Sequence, residues 1–549
     1  MVNKIISKSQ EFFNRKSSSI LSAAAIIAVS YLGSAILGLI KNHLLAARFF
    51  GGMEADLDVY FAAFVIPDTI FQLLVVGAVS AAFIPVYQEY FEKTKEEAHD
   101  LANAALTAVG SVLFLVSLVI VILARPLAGL LAHFSPDKLD LMANLIRMMS
   151  VAQMLFAVSA FLTGVLQSER RFLIPAIAPL LYNLGTILGI IFFSSRFGIY
   201  SAAIGVVIGA FLHMAVQLPT ARSLGYWPKI HWQPRHLGVL SMIRLMPPRA
   251  LALGLDQIER WVAVNLTSLL AAGSLSIFNF SRQLYVLPIS LFGVSLSQAS
   301  FPSLAKEALS ADKTRFKSTL SKAILQIFFF ALPASVLVLV LRIPLVRLAF
   351  GAKNFPWEAT LLTGKALAFL SISIAPQAVT NSLTRALHAL KDTKTPLIIG
   401  SITMVTFVGL AYLFGLITEK SVAGITLALS LGNLLDFVLS YWAVRSKVGS
   451  LGISLRIIKM FIVSLFTGFS LWLPMRLLDQ LIFDTTRTVP LIILTLTVSG
   501  VGFSVYLLFC WLFGIEELRD VIDIMKKIGN WRKILASSDE VLETTPTSI

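Results

Sequence analysis

Cysteine is almost absent, one residue in 549, at Cys510. A lone thiol excludes an internal disulfide framework and any cysteine-ligated metal site. Charge is scarce as well: Asp, Glu, Lys and Arg make up 14%, where an ordinary soluble domain carries about 25%. That shortage excludes a soluble multidomain enzyme. Acidic residues are the scarcer sign, 30 against 45 basic, for a formal net charge of +15. Catalytic signatures are missing too. The seven histidines, at 43, 99, 133, 213, 231, 236 and 388, form no HExxH motif and no pair at helical ligand spacing. No Walker A sequence occurs. The reading is therefore of no enzyme, no catalytic residues, no metal, no cofactor and no nucleic-acid partner. Met1–Ser19 is polar and the first apolar stretch is too long for a signal h-region, so no cleavable leader is expected.

What the chain does have is apolar sequence: 57% of residues are hydrophobic and the mean hydropathy is +0.82. A bilayer-spanning helix takes about 20 residues, and the apolar windows predict about fourteen spans. They fall near 20–47, 58–90, 99–132, 140–167, 173–194 and 197–221, then 248–270, 274–305, 316–341, 359–389, 395–416, 421–445, 455–478 and 488–514. The expected fold class is an all-α polytopic membrane protein. Lys and Arg collect in cytoplasmic loops, and here they cluster at Lys4–Lys16, Arg170–Arg171, Arg222–Arg249, Lys306–Lys322, Lys391–Lys394 and Arg445–Lys459. Placing those segments inside puts both termini in the cytoplasm.

The chain also repeats. Leu166-Gln-Ser-Glu-Arg-Arg-Phe-Leu-Ile-Pro175 shares its layout with Leu387-His-Ala-Leu-Lys-Asp-Thr-Lys-Thr-Pro396, a helix end, a basic turn and a helix-opening proline. Arg125-Pro-Leu127 corresponds to Arg342-Ile-Pro-Leu345, and Ser80…Pro85 to Ser297…Pro302. The common offset of 217–221 residues predicts two parallel six-helix halves with a binding site at their interface. The expected organisation is a cytoplasmic segment (1–19), a first half (20–222), a linker with an amphipathic surface helix (223–247), a second half (248–446), two extra helices (455–514) and a cytoplasmic amphipathic segment with a polar tail (515–549).

Ionisable groups inside apolar spans are the candidate site. A charge near the bilayer centre costs about 2.5–3.5 kcal/mol, so each should face a cavity or a partner. They are Lys41, Asp68, Asp256, Glu259, Arg260, Arg282, Lys365 and Asp436. Arg48, at the end of the first span, is expected to snorkel to headgroups. Asp256 precedes Arg260 by four residues, the favourable order for a helical ion pair. Glu259 is left to Arg249, Arg282 or water. Asp56-Leu-Asp58 could hold a metal-bound sugar nucleotide, but reads more simply as the acidic start of the second helix. Pro67, Pro247-Pro248, Pro288 and Gly293 mark places where charged helices can bend around a gated polar cavity.

These residues resemble the MurJ/MviN lipid II flippases of the multidrug/oligosaccharidyl-lipid/polysaccharide exporter superfamily. The resemblance is carried by Gly38-Leu-Ile-Lys-Asn-His-Leu-Leu-Ala-Ala-Arg-Phe-Phe-Gly51, Asp58-Val-Tyr-Phe-Ala-Ala-Phe64, Ile66-Pro67-Asp68 and Gly77-Ala-Val-Ser-Ala-Ala-Phe-Ile-Pro85. Pro248-Arg249, Ser276-Ile-Phe-Asn-Phe-Ser-Arg-Gln-Leu-Tyr-Val-Leu-Pro288, Phe292-Gly293 and Phe301-Pro302-Ser-Leu304 extend it. It implies movement of a polyprenyl-diphosphate-linked glycan, lipid II, from the inner to the outer leaflet of a bacterial cytoplasmic membrane, for cell-wall synthesis. By position it implies substrate-binding roles for Arg282, Lys41, Asp58 and Arg249, and the reading of buried charge adds Asp68, Asp256, Glu259 and Arg260 as cavity or ion-coupling candidates. It also implies contact with membrane lipids and with cell-wall synthesis enzymes, and a polyprenyl-tail groove in the last two helices. Ala35, Phe71-Gln72 and Val76 depart from the family pattern and make the expected cavity less cationic. A divergent relative exporting another polyprenyl-diphosphate glycan stays open, as do, read without the resemblance, a cation-coupled small-molecule exporter using Asp58, Asp68 or Asp256 and a non-transporting envelope scaffold.

Overall fold

The computed structural model of the chain describes residues 20–77, 79–310, 312–418, 420–481 and 487–519. Every regular element among them is helical, as expected for this class. In chain order they are α1 (Ile20–Phe49), α2 (Glu54–Phe71), α3 (Ile84–Phe91), α4 (Lys95–Ile122), α5 (Ala124–Leu131), α6 (Pro136–Ser168), α7 (Leu173–Phe197), α8 (Tyr200–Ala215), α9 (Leu218–Ser223) and α10 (Leu237–Thr267). Then follow α11 (Ser274–Pro288), α12 (Ser295–Glu307), α13 (Thr314–Val340), α14 (Arg342–Phe350), α15 (Trp357–Ser371), α16 (Ile374–Ala389), α17 (Lys394–Tyr412), α18 (Val422–Val448), α19 (Ser454–Leu481) and α20 (Thr488–Leu512). In lipid only helices and closed barrels satisfy every backbone donor and acceptor, and continuous apolar runs of about 20 residues suit helices rather than the alternating strands of a barrel.

Among the described residues, eleven helices are long and apolar enough to cross a membrane. Counting α15 and α16, which meet at a 45° bend, as one span makes twelve. This test by length and hydropathy does not confirm the fourteen expected. Two further long helices, α1 and α10, coincide with expected spans outside that count, and α10 carries Arg244, Arg249, Asp256, Glu259 and Arg260. One expectation is corrected. The amphipathic run before Pro247-Pro248 is no separate surface helix, because α10 continues through both prolines. In membrane helices neighbouring groups satisfy the backbone that a proline frees, so a proline pair need not end the helix.

At or near two of the expected places the helix widens into π turns. Pro67 lies inside unbroken α2, and the helix widens just after it, at Gln72–Val76 and Val79–Phe83. Pro288 is followed at once by a π turn over Ile289–Val294. The first and last of these turns start 217 residues apart, inside the offset of the sequence matches. The two basic turns share their geometry as well. Arg170 and Lys391 both take left-handed backbone, at φ 60° and 61°. In each turn the next amide bonds five residues back, Arg171 to Leu166 O (2.7 Å) and Asp392 to Leu387 O (2.9 Å), the helix-ending pattern glycine usually supplies.

The chain divides into two compact units. The first holds the described residues up to Gln283, with Ala349–Ala366 and Gly400–Leu429. Its core gathers Phe83, Tyr87, Leu101, Phe161, Leu166 and Tyr226. In it α7 and α8 pack at backbone distance: a Cβ on Gly185 would lie 2.4 Å from Gly209 Cα, and one on Gly189 would lie 2.3 Å from Gly205 Cα. Small residues are the usual means of close helix approach in membranes. The second unit holds Leu284–Leu348, Leu367–Ile399 and the described chain from Ser430. Its core is built on Phe316, Ile324, Phe329, Leu383 and Tyr506, and the Tyr506 hydroxyl donates to Phe329 O at 2.8 Å.

Candidate functional site

Inside the first unit lies a cavity of about 450 Å³. α1 contributes Lys41 and Asn42, α2 contributes Asp68, and Gln72 comes from the π turn that follows. α7 contributes Tyr182, α10 Arg260, and α11 Asn279 and Arg282. Phe61, Phe64 and Phe278 supply apolar wall between the polar groups.

Glu259 and Arg260 are neighbours on α10, and a helix turns about 100° per residue, so they serve different helices. Arg260 Nη1 lies 2.5 Å from Asp68 Oδ2 on α2. Arg282 Nη2 lies 3.0 Å from Glu259 Oε1. Arg260 thus has a partner across the bundle, on α2; the expected same-helix partner, Asp256, has a side chain outside the described residues. Lys41 Nζ sits 5.5 Å from the centre of the Tyr182 ring. Among the described residues three cations thus face two carboxylates, an excess of positive charge.

Neutral groups fix the frame. Trp261 Nε1 donates to Thr69 Oγ1 at 2.9 Å, and Thr69 donates in turn to Val65 O at 2.6 Å. These bonds tie α10 to α2 one residue beyond the Arg260–Asp68 pair. Asn42 Nδ2 donates to Gln283 Oε1, joining α1 to α11 beside Arg282.

Asp58 does not line the cavity. Its side chain is buried, 2% exposed, and its carboxylate accepts the Gly273 N–H (2.8 Å), the Ser276 N–H (2.7 Å) and the Ser276 hydroxyl (2.6 Å). An acidic side chain satisfying the free amides at a helix start is a capping interaction. The structure places Asp58, expected to bind substrate, away from the described cavity lining, where it seats the first turn of α11, two turns before Arg282. Asp56 pairs with Lys138. With one acid ion-paired and the other spent on amides, Asp56-Leu-Asp58 offers no free carboxylate pair for a metal. Arg48 is exposed at the end of α1, and Asp436 accepts from Ser440 at 3.2 Å in the second unit. Arg249 and Asp256 lie on α10, and their side chains fall outside the described residues.

Sequence reasoning missed Asn42, Tyr182 and Asn279. Each is a neutral polar residue in an apolar span, too cheap to bury and too common to stand out. Tyr182 and Asn279 share only their position on helices that also carry a proline, at Pro179 and Pro288.

A many-span all-α chain that withdraws ion pairs from lipid into a cavity of this size is built as a membrane carrier, and solved structures place the fold. One described as "Lipid II flippase MurJ, inward closed conformation" matches with a TM-score of 0.74 at 24% identity, over 91% of this chain and all of that one. An inward-facing multidrug resistance MATE family transporter of the MOP superfamily matches with a TM-score of 0.65 at 14% identity, over 77% of this chain and 96% of that one. A family model described as lipid II flippase MurJ matches residues 46–493, and the chain belongs to that family. A curated relative from Thermotoga maritima, named as a probable lipid II flippase MurJ, is 28% identical over 490 residues, 89% of this chain and 96% of that one. The chain is thus a multi-pass membrane protein.

Proposed function

We propose that this chain moves lipid II from the inner to the outer leaflet of the bacterial cytoplasmic membrane by alternating access, with both termini in the cytoplasm. The observation that carries the reading is the surplus of cations among the described cavity residues, in a member of this family. A diphosphate head group cannot cross about 30 Å of hydrocarbon unaided. A cavity with a cationic surplus replaces part of its lost hydration. Arg260 and Arg282 grip phosphate oxygens bidentately, and Lys41 adds a point charge. Asp68 and Glu259 hold the two guanidinium groups until the diphosphate displaces them, which keeps the cations from burying unpaired charge in the empty state. α19 and α20 take the polyprenyl tail on outward apolar side chains such as Phe461, Phe469 and Leu496, all exposed in the second unit.

The test is rescue of a bacterium depleted of its own lipid II flippase, at matched membrane expression. The parent chain restores growth and cell shape. Arg282→Ala does not, and Arg282→Lys restores them only partly. Equal rescue by all three would remove Arg282 from the site, and failure of the parent would overturn the substrate.

A further inference from the structure

The segment from Trp227 to Leu245 is exposed and apolar in a way the carrier reading does not use. Trp227 is 45% exposed, Ile230 93%, Trp232 65%, Leu237 75% and Ile243 49%. Soluble surfaces rarely gather large apolar side chains in one stretch. Within this stretch of chain the charge has one sign, while Glu97 and Asp100 of α4 face His236. Arg222, Lys229, Arg235, Arg244 and Arg249 fall in this region, while no Asp or Glu occurs between Arg170 and Leu255. Arg222 lies 5.8 Å from the Trp227 ring centre.

The backbone of this segment is pinned at a definite depth. Lys229 N–H donates to Asn103 Oδ1 at 3.0 Å, and His231 N–H donates to Thr107 Oγ1 at 2.8 Å. Both acceptors are on α4, whose charged first turns (Lys95, Glu96, Glu97, Asp100) give way to apolar sequence at Leu101. At 1.5 Å rise per residue, Asn103 and Thr107 stand about 3 and 9 Å beyond that boundary. Tyr226 at one end, and Val239 and Met242 at the other, are buried in the core that includes Leu101. The strand between them is therefore a strap fastened along α4 at the level where headgroups meet acyl chains, and Trp is the residue most suited to that level.

We propose that residues 226–245 form an interfacial strap that binds anionic phospholipid headgroups, with Trp227, Ile230 and Trp232 seated among the acyl chains and Lys229 and Arg235 on the phosphates. The strap opens α10, the helix that carries Glu259 and Arg260, so anionic lipid holds the start of a cavity helix in place. Basic groups near an anionic surface contribute about 1 kcal/mol each, a factor of roughly five in lipid affinity per cation.

The test uses the full chain in bilayers of phosphatidylglycerol mixed with phosphatidylcholine, or of phosphatidylcholine alone. Ile230→Cys carries a spin label, while Cys510 is buried and stays in place. Leu309→Cys, on an exposed turn, is the aqueous control. The strap predicts a label at Ile230→Cys that is relaxed by oxygen more than by a water-soluble nickel chelate in the mixed bilayer. It shifts toward the chelate in phosphatidylcholine or when Lys229→Gln and Arg235→Gln are combined. A cysteine-free readout, quenching by brominated lipids compared between the parent and Trp232→Phe, should give the same depth. A label as water-accessible as the Leu309→Cys control in both bilayers would overturn the strap, and would leave a soluble partner as the occupant of that surface. A label buried equally in both bilayers would overturn the anionic preference.

Discussion

Glu259 and Arg260 adjoin in the chain and point to different helices, and the cavity follows from that. Each bonds a partner that no local spacing announces, Arg282 on α11 and Asp68 on α2. The charges themselves were legible as ionisable groups in apolar sequence, because lipid leaves such groups few places to go. Their pairing was not, since a same-helix spacing between Asp256 and Arg260 competes with a cross-bundle one that only packing reveals. Asp58 shows the same limit more strongly. Its partners Gly273 and Ser276 lie more than 200 residues away, so a buried cap read as a ligand. Asp58→Ala leaves those amides without an acceptor in a buried site, at a cost of about 1–3 kcal/mol. The expected result is a lowered midpoint of thermal unfolding in detergent, with Asp58→Asn intermediate, because one amide oxygen still accepts. An unchanged midpoint for Asp58→Ala would show that α11 is seated by other contacts.

Elements were read better by their ends than by their middles. The two basic turns were visible as matching strings, and both adopt left-handed backbone at the matching residue, Arg170 and Lys391. The π turns and the 45° bend between α15 and α16 were not visible, because a widened turn keeps the apolar content of an ordinary helix. At the second basic turn Asp392 is fastened to Thr395 and to Lys447 Nζ, 2.9 Å away. Burial alone would push its carboxyl up. The hydrogen bonds from Thr395 and the Lys447 ammonium outweigh that and hold it well below the usual aspartate range. A carboxyl depressed in the folded state contributes stability that is complete above its unfolded value, about pH 4, and is lost as pH falls toward the folded one. Unfolding midpoints measured from pH 7 down to pH 3 should therefore fall on the acid side, and Asp392→Asn should be less stable at pH 7 with a flatter acid limb. Parallel curves for the two proteins would contradict this role.

For the whole molecule, composition settled the class, and the number of spans proved harder. Eleven or twelve helices pass as spans among the described residues, and α10, which coincides with the expected span 248–270, stays outside that count because it carries five charges, at Arg244, Arg249, Asp256, Glu259 and Arg260. Family membership rests on most of the chain, residues 46–493, and the substrate rests on a cavity whose cations outnumber its acids among the described residues. The measurement closest to that substrate is the leaflet distribution of lipid II in a bacterium depleted of its own flippase and supplied with this chain. Lipid II reachable by an impermeant amine reagent at the outer face is compared with the total extracted pool. The account predicts that the parent chain returns the outer fraction to its undepleted level and that Arg282→Ala leaves the precursor inside. An outer fraction that stays at the depleted level with the parent chain folded and in the membrane would contradict it.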